Sequence, residues 1–193
     1  MLYPPISFFS CQEDISDVAI WWWQELKSTV YFAGIRARSP EDSKQNKIRR
    51  LFDAAGFSKA IRKGDLTAIK IHFGELGNDS FVSPILVRPI AEKILDQGAR
   101  PFLMDTNTLY GGSRCNAAIH LQTAEEHGFG RTVAGAPVII ADGLRGDSFR
   151  EVAVPGKHFK KVKIAAEIAS ADSMIVVSHF KAHLPAGFGG AVK

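Results

Sequence analysis

The sequence predicts one α/β domain, built on a mostly parallel sheet with helices covering both faces. Two observations predict this class. Short apolar, β-branched runs recur along the chain, and segments with apolar residues at helical spacing separate them. Such alternation is typical of a parallel sheet whose strands are connected by covering helices. The length of 193 residues suits one domain of this kind and is too short for two substantial ones.

The predicted elements follow one another through residues 29–193, which form the expected α/β domain. Ile48, Leu51, Phe52 and Ala55 lie at i, i+3, i+4 and i+7 and predict a helix that ends at Gly56. The other predicted helices are 89–97, a helix capped by Ser113 that reaches Gly128, and a last helix along 162–169. The predicted strands are 30–35, 66–73, 101–104, 137–141 and 173–177.

Residues 1–28 form an N-terminal extension that does not follow this pattern. They contain all three tryptophans and show no clear hydrophobic period. Ile15, Val18, Ala19 and Trp22 would line one face of an amphipathic helix packed on the domain or on a partner. The alternative is a segment that lies outside the fold, and both interpretations stay open.

Composition excludes several classes of protein. The longest unbroken apolar run has six residues, whereas a membrane span needs about 20. No basic stretch precedes an apolar core near Met1, so we expect no secretory signal. The two cysteines, Cys11 and Cys115, cannot form a zinc site or a disulfide framework, which indicates a cytoplasmic protein. The net charge is +4, and the basic runs 47–50 and 160–163 are interpreted as solvated helix faces, with no nucleic acid as partner.

Polar residues directly follow four of the predicted strands. Ligands of open parallel sheets bind in the crevice outside the carboxyl ends of the strands. We therefore expect these side chains to line one crevice that takes a small anionic ligand or a metal ion. The candidate binding residues are Lys70, Glu75, Asp105, Asn107, Ser113, Arg114, Asp142, His179, Lys181, Gly189 and Gly190.

Each of these candidates also has a structural interpretation. Asp105 and Asp142 could form turns or caps, because a carboxylate at a strand end readily accepts local backbone N–H bonds. Ser113 could simply cap a helix. Lys70 and His72 are less easily explained in this way. They share one face of a strand, which is unusual for a purely structural segment.

The segment from Ser178 to Lys193 is the richest in chemical groups. Its proline and glycines make it too broken for a single helix. Such a loop can curl around a ligand and present His183 and Lys193, its two ends, to one point. His72, His183 and Lys193 are the candidate catalytic residues, through proton exchange or a cationic or nucleophilic amine. The structural alternative is a tail beyond the last strand.

Five segments of the chain share one resemblance: residues 29–33, 70–75, 101–114, 178–183 and 187–193. Together they resemble the domain-of-unknown-function 362 family, whose members are often labelled iron–sulfur centre proteins. The resemblance implies a ligand-binding domain that is redox-associated in the full-length protein, with a [4Fe–4S] module after the glycine-rich part. We expect no cluster in this chain, because two cysteines cannot supply the usual four thiolates. The chain then looks like a C-terminally incomplete fragment, whose exposed apolar surface would favour a homo-oligomer.

A second, local likeness concerns the C-terminal segment. The spacing of His183 and Lys193, with glycines between them, is similar to a segment of the nickel-pincer lactate racemase family. That resemblance implies a catalytic histidine and a cofactor-tethering lysine, although the usual serine is replaced by Gly189. Two functional hypotheses follow: a binding module linked to redox chemistry, and a proton-transfer enzyme. In the enzyme, His72 or His183 would act as acid or base, with Lys70 or Lys193 as an anchor.

Overall fold

The structure is a computed structural model, and it describes residues 29–184 and 186–191. The helices in this part of the chain are α1 (Lys44–Ala54), α2 (Pro84–Asp96), α3 (Ala117–Glu126) and the short α4 (Arg131–Ala134). The strands are β1 (Leu66–Ile71), β2 (Arg100–Asp105), β3 (Val138–Ile140), β4 (Phe149–Ala153), β5 (Lys161–Ala165), β6 (Ser173–Val177), β7 (Lys181–His183) and β8 (Gly187–Gly189).

A four-stranded parallel sheet with the order β3-β2-β1-β6 lies at the centre of the fold. Strands β1 and β2 occupy the middle, so nearly all their side chains are buried. This burial explains why both read as continuous apolar runs in the sequence. Lys70, near the carboxyl end of β1, interrupts the apolar run of this strand. It lies opposite Met104 of β2 and Val176 of β6.

The main core lies between the helices and one face of the sheet. Ile69 and Leu103 point to this face from the two central strands, and residues of all four helices pack against it. Helix α2 contributes most through Val87, Ala91 and Ile94, each with no exposed surface. Of the apolar stripe predicted for the first helix, Phe52 lies in this core.

The opposite face of the sheet has a thinner cover. Ala68, Phe102 and Met104 form a small buried cluster there, and residues of the turn segment 165–171 pack against it. Met174 and Val176 of β6, on the same face, stay 49% and 41% exposed. The predicted α/β class and parallel sheet are confirmed, and on this second face a turn segment provides the described cover in place of a helix.

The predicted strand 30–35 is wrong. This segment has no regular secondary structure, and Val30, Phe32 and Ile35 are more than half exposed. Its attachment to the domain is polar, because the Lys47 ammonium donates to the carbonyl of Gly34 at 2.8 Å. A β-branched run becomes a strand only where a sheet edge can pair with its backbone groups, and no described strand pairs with this segment.

The predicted helix over 162–169 is also wrong. Residues Lys161–Ala165 form β5, which pairs antiparallel with β4, and a turn follows from 166 to 170. Lys161 and Lys163 alternate with Val162 and Ile164, and this period of two is the signal of a strand. The alanines that follow suggested a helical stripe, but they fill the cover over the second face of the sheet.

Two helix starts differ from the prediction. Helix α2 begins at Pro84, five residues before Pro89, and contains Pro89 in its buried interior. Pro89 is the sixth residue of this helix, so its missing N–H removes the hydrogen bond to the carbonyl of Ile85, while its ring is fully buried. Helix α3 begins at Ala117, and its cap is Asn116, whose side chain accepts the N–H of Ile119 at 3.1 Å. Ser113 is therefore not the cap of this helix.

Residues 1–28 lie outside the described residues, and so does the predicted amphipathic helix within them. Among the helices that the structure describes, none combines the length and apolar character needed to cross a membrane.

Candidate functional site

A cleft of about 160 Å³ opens at the carboxyl ends of β1 and β6. Three parts of the chain line it: the end of β1 with the loop after it, the end of β6, and the hairpin β7–β8. Six of the predicted site residues meet here, and they come from all three parts. They are Lys70, His72, His179, Lys181, Gly189 and Gly190.

The hairpin β7–β8 brings the C-terminal glycines back to the cleft. Lys181 pairs with Gly189 across this hairpin, and the rings of Phe180 and Phe188 stack with centroids 5.7 Å apart. The stem of Lys181 runs beside Gly189, 3.6 Å from where a β-carbon of that residue would lie. The described part of this segment therefore turns back on itself as a short antiparallel hairpin.

Lys70 reaches over the carboxyl edge of the sheet to Asp105. Its ammonium lies 3.0 Å from one carboxylate oxygen of Asp105, and the Arg114 guanidinium lies 3.5 Å from the other. Asp105 and Arg114 are both buried, with 4% and 5% of their surface exposed. A buried carboxylate needs such partners, because an unpaired charge at this depth would be strongly destabilising.

Arg114 also binds Glu75, which lies in the loop after β1. Its Nη2 and Nε donate to Glu75 at 2.6 and 2.9 Å, and the hydroxyls of Ser113 and Tyr110 donate at 2.8 and 2.9 Å. Burial alone would raise the pKa of Glu75, but these hydrogen bonds, that of Arg114 above all, outweigh it and lower the pKa to about 2. Glu75 is thus a charged structural anchor.

These residues form a charge-balanced network, which we call the Asp105 network: Lys70, Arg114, Asp105 and Glu75. Two cations face two carboxylates, and Arg114 connects the two halves. Only Lys70 of these four lines the cleft. The network therefore holds Lys70 in position at the cleft while neutralising its charge.

His72 lines the cleft next to Lys70, and one hydrogen bond determines its tautomer. The backbone N–H of Gly74 donates to Nδ1 at 2.9 Å, so the neutral ring carries its proton on Nε2. Burial lowers the pKa of His72, and the charges of Arg114, Lys181 and Lys70 lower it further, against the opposing effect of Asp105. His72 is therefore a neutral ring that presents one N–H donor.

A family model, described as Domain of unknown function (DUF362), matches residues 67–193. The chain belongs to the DUF362 family. The match covers most of the chain and includes all the segments that line the cleft. No curated protein and no solved structure matches the chain.

The match confirms the resemblance to this family over the DUF362 domain, which starts at the second residue of β1. The predicted resemblance began near Thr29, before the matched region. The family description names no activity, cofactor or ligand. The iron–sulfur link and the racemase likeness therefore stay predictions.

Asn107 and Asp142 lie together but away from the cleft lining. The carboxylate of Asp142 accepts the backbone N–H of Asn107 at 3.0 Å and its side-chain amide at 2.8 Å. The same amide donates to the carbonyl of Gly143 at 2.9 Å. These bonds connect the loops after β2 and β3, so Asp142 accepts a backbone N–H 35 positions away and not one of a local turn or cap.

The predicted pairing of His183 with Lys193 stays a prediction, because the structure describes His183 but not Lys193. His183 lies on β7 opposite Gly187, half-buried, and does not line the cleft. Its Nδ1 is buried and has no hydrogen-bond partner among the residues that the structure describes. Lys193 and Pro185 lie outside the described residues.

His120 of helix α3 is a neighbour of the network that the sequence did not reveal. It is fully buried against the ring of Phe73, and its Nε2 lies 4.0 Å from Asp105. Burial lowers the pKa of His120 to about 4, despite the opposing charge of Asp105. The sequence contained no signal for this proximity, because a lone histidine on a helix indicates no particular partner.

The described residues do not fit an iron–sulfur cluster. Cys115 is the one cysteine among them, and no group of three histidine, cysteine or carboxylate side chains is arranged there to hold a metal ion. A cluster requires several convergent thiolates.

Proposed function

We propose that the DUF362 domain of this chain binds a small anionic ligand in the cleft. The observation that carries the proposal is the composition of the lining: two lysines and two histidines contribute to it, and none of the described lining residues is acidic. Carboxylates are present nearby, but they are engaged in the Asp105 network. Because Lys70 is paired with Asp105, Lys181 supplies the positive charge of the described lining that would attract an anion.

Lys181 is the main candidate for contact with the anion. It is exposed at the cleft and makes no ion pair with any residue that the structure describes. The glycines beside it, Gly189 and Gly190, leave room for a ligand to approach the backbone closely. Lys181 could thus donate a charged hydrogen bond to the anion without breaking an existing ion pair.

His72 supports the same proposal as a neutral donor. Its Nε2–H is left for a ligand, because Nδ1 already accepts from Gly74. Protonation of Nδ1 would turn this acceptor into a donor that faces the Gly74 N–H. The arrangement therefore favours a ring that donates to an anion over one that takes up protons as a base.

We propose the iron–sulfur association only for a longer form of the protein. The resemblance implies it, and the described residues do not supply the ligands. A Cys-x2-Cys-x2-Cys-x3-Cys run downstream of Lys193 in the natural reading frame would supply them. Sequencing that frame is the test, and a frame without such a run would remove this part of the proposal.

The binding proposal is tested by titrating the protein with inorganic phosphate, sulfate and small carboxylates. The pKa of His72 is followed by NMR, because a bound anion offsets the cations that lower this pKa and should raise it. We expect at least one probe to bind, and Lys181→Met to weaken that binding roughly ten- to a hundredfold, as the loss of a charged hydrogen bond does.

Lys157→Met is the matched control, since Lys157 is an exposed lysine outside the cleft. It should leave binding unchanged, which separates a local contact from a change in net charge. If no probe moves the pKa of His72, or if both variants weaken binding equally, the proposed cleft is not an anion site.

A further inference from the structure

The charge balance at the cleft limits the charge of its ligand. Lys70 is neutralised by Asp105 at 3.0 Å, and the Asp105 network as a whole pairs two cations with two carboxylates. His72 is neutral in its observed hydrogen bond. Of the two lysines that line the cleft, Lys181 is therefore the one without a carboxylate partner among the described residues. One uncompensated cation matches one negative charge.

The cleft also has an apolar part. Phe81, Val82 and Val177 line it, and all three are partly buried against the main core. The Phe81 ring is held in place by stacking on His127, with ring centroids 4.5 Å apart. His127 is in turn bonded to the carbonyl of Phe73 at 2.7 Å. This surface is preformed, so an apolar ligand group would bury it without first ordering a flexible side chain.

The size of the cleft limits the ligand further. Its volume is about 160 Å³, close to the roughly 150 Å³ of an apolar protein cavity that holds benzene. A cleft of this volume has room for a few carbon atoms beside one charged group. A polyphosphate would bring several negative charges to a site with one uncompensated lysine.

We infer that the ligand is a small organic monoanion, with a carboxylate at Lys181 and His72 and a short apolar body against Phe81, Val82 and Val177. This inference rests on the proposed anion site and names its ligand class. A phosphate group would bring more than one negative charge near pH 7, against the one uncompensated cation of the described lining. Arg114 does not line the cleft and is engaged by Glu75 and Asp105.

The test compares acetate, butyrate, benzoate, inorganic phosphate and ADP by calorimetry and by the NMR shift of His72. Each additional buried methylene should tighten binding about fourfold, so butyrate should bind about 15-fold more tightly than acetate. Benzoate should also bind more tightly than acetate. Inorganic phosphate and ADP should bind more weakly than butyrate.

Two variants separate the charge from the apolar surface. Lys181→Met should weaken acetate and butyrate by the same factor and leave their ratio unchanged. Val82→Ala should reduce the ratio, while Val152→Ala, on exposed strand β4, should not. Thermal unfolding of each variant confirms that it is folded.

The possible results distinguish the two proposals. Tighter binding of phosphate or ADP than of butyrate, or equal binding of acetate and butyrate, would overturn the monoanion class and leave the anion site standing. Failure of all five probes to bind would refute both.

Discussion

Glu75→Gln tests whether the hydrogen bonds of Glu75 stabilise the fold, and it does so through pH. The pKa of Glu75 is lowered from 4.5 to about 2, because bonds from Arg114, Ser113 and Tyr110 outweigh the effect of burial. The folded state thus holds the carboxylate charged at pH values where the unfolded state would protonate it. This contribution is fully present above pH 4.5 and is lost as the pH falls from 4.5 toward 2.

The magnitude follows from the shift and from the exposure of the side chain. At about 1.4 kcal/mol per pKa unit, a fully buried carboxylate with this shift would contribute about 3.4 kcal/mol. The side chain of Glu75 is 35% exposed. Solvent screening then reduces the contribution to roughly half, about 1.7 kcal/mol. About 1 kcal/mol of this should disappear between about pH 6 and pH 3.5.

The assay is urea unfolding of the wild type and Glu75→Gln at several pH values in this range. The difference in free energy of unfolding between the two proteins should shrink as the pH falls, because glutamine does not titrate. Glu125→Gln removes an exposed carboxylate of α3 and is the control for the change in net charge. Parallel loss of stability by the wild type and Glu75→Gln would refute the reasoning.

Three further predictions concern the core, a turn and the cysteines. In the wild type the free energy of unfolding should fall between pH 6.5 and about 4, because the unfolded chain takes up a proton that the buried His120 side chain does not. His120→Leu should remove this fall, which denaturant unfolding at pH 7 and pH 5 measures. The same pH dependence in both proteins would contradict the prediction. Gly74→Ala should lower the free energy of unfolding by about 1–3 kcal/mol, because Gly74 has φ +88° and a β-carbon there would lie 2.5 Å from Phe81. An unchanged melting temperature would contradict this prediction. Anaerobic reconstitution of this chain should yield no stoichiometric iron–sulfur cluster, which iron and sulfide analysis decides.

Part of the candidate site could be predicted because it depends on local pattern. Lys70 and His72 were placed together by the period of two along a strand, and both line the cleft. The rule that ligands bind at the carboxyl ends of parallel strands predicted the edge at which the cleft opens. Asp105 and Glu75 were expected as ligand-binding residues, and the structure places them in the network behind Lys70.

The sequence could not predict which charged side chains are paired within the protein and which are available to a ligand. Asp105 lies on β2, Glu75 in the loop after β1, and Arg114 in the loop before α3. Their hydrogen bonds join residues up to 39 positions apart. The sequence indicated nine charged or polar binding candidates, and only the distances in the structure separate Lys181 from the balanced set.

By itself, the sequence determined the α/β class, strands β1 and β2, helix α1 and the edge of the sheet where the candidate site lies. These features depend on hydrophobic period and on burial of continuous apolar runs, which are properties of neighbouring residues. The tertiary structure alone decided that 161–165 pairs as a strand, that 30–35 does not, and that hairpin β7–β8 carries Lys181 and the glycines to the cleft. A strand exists only if a distant segment satisfies its backbone groups, and an ion pair only if two elements approach, so neither can be read from one stretch of chain.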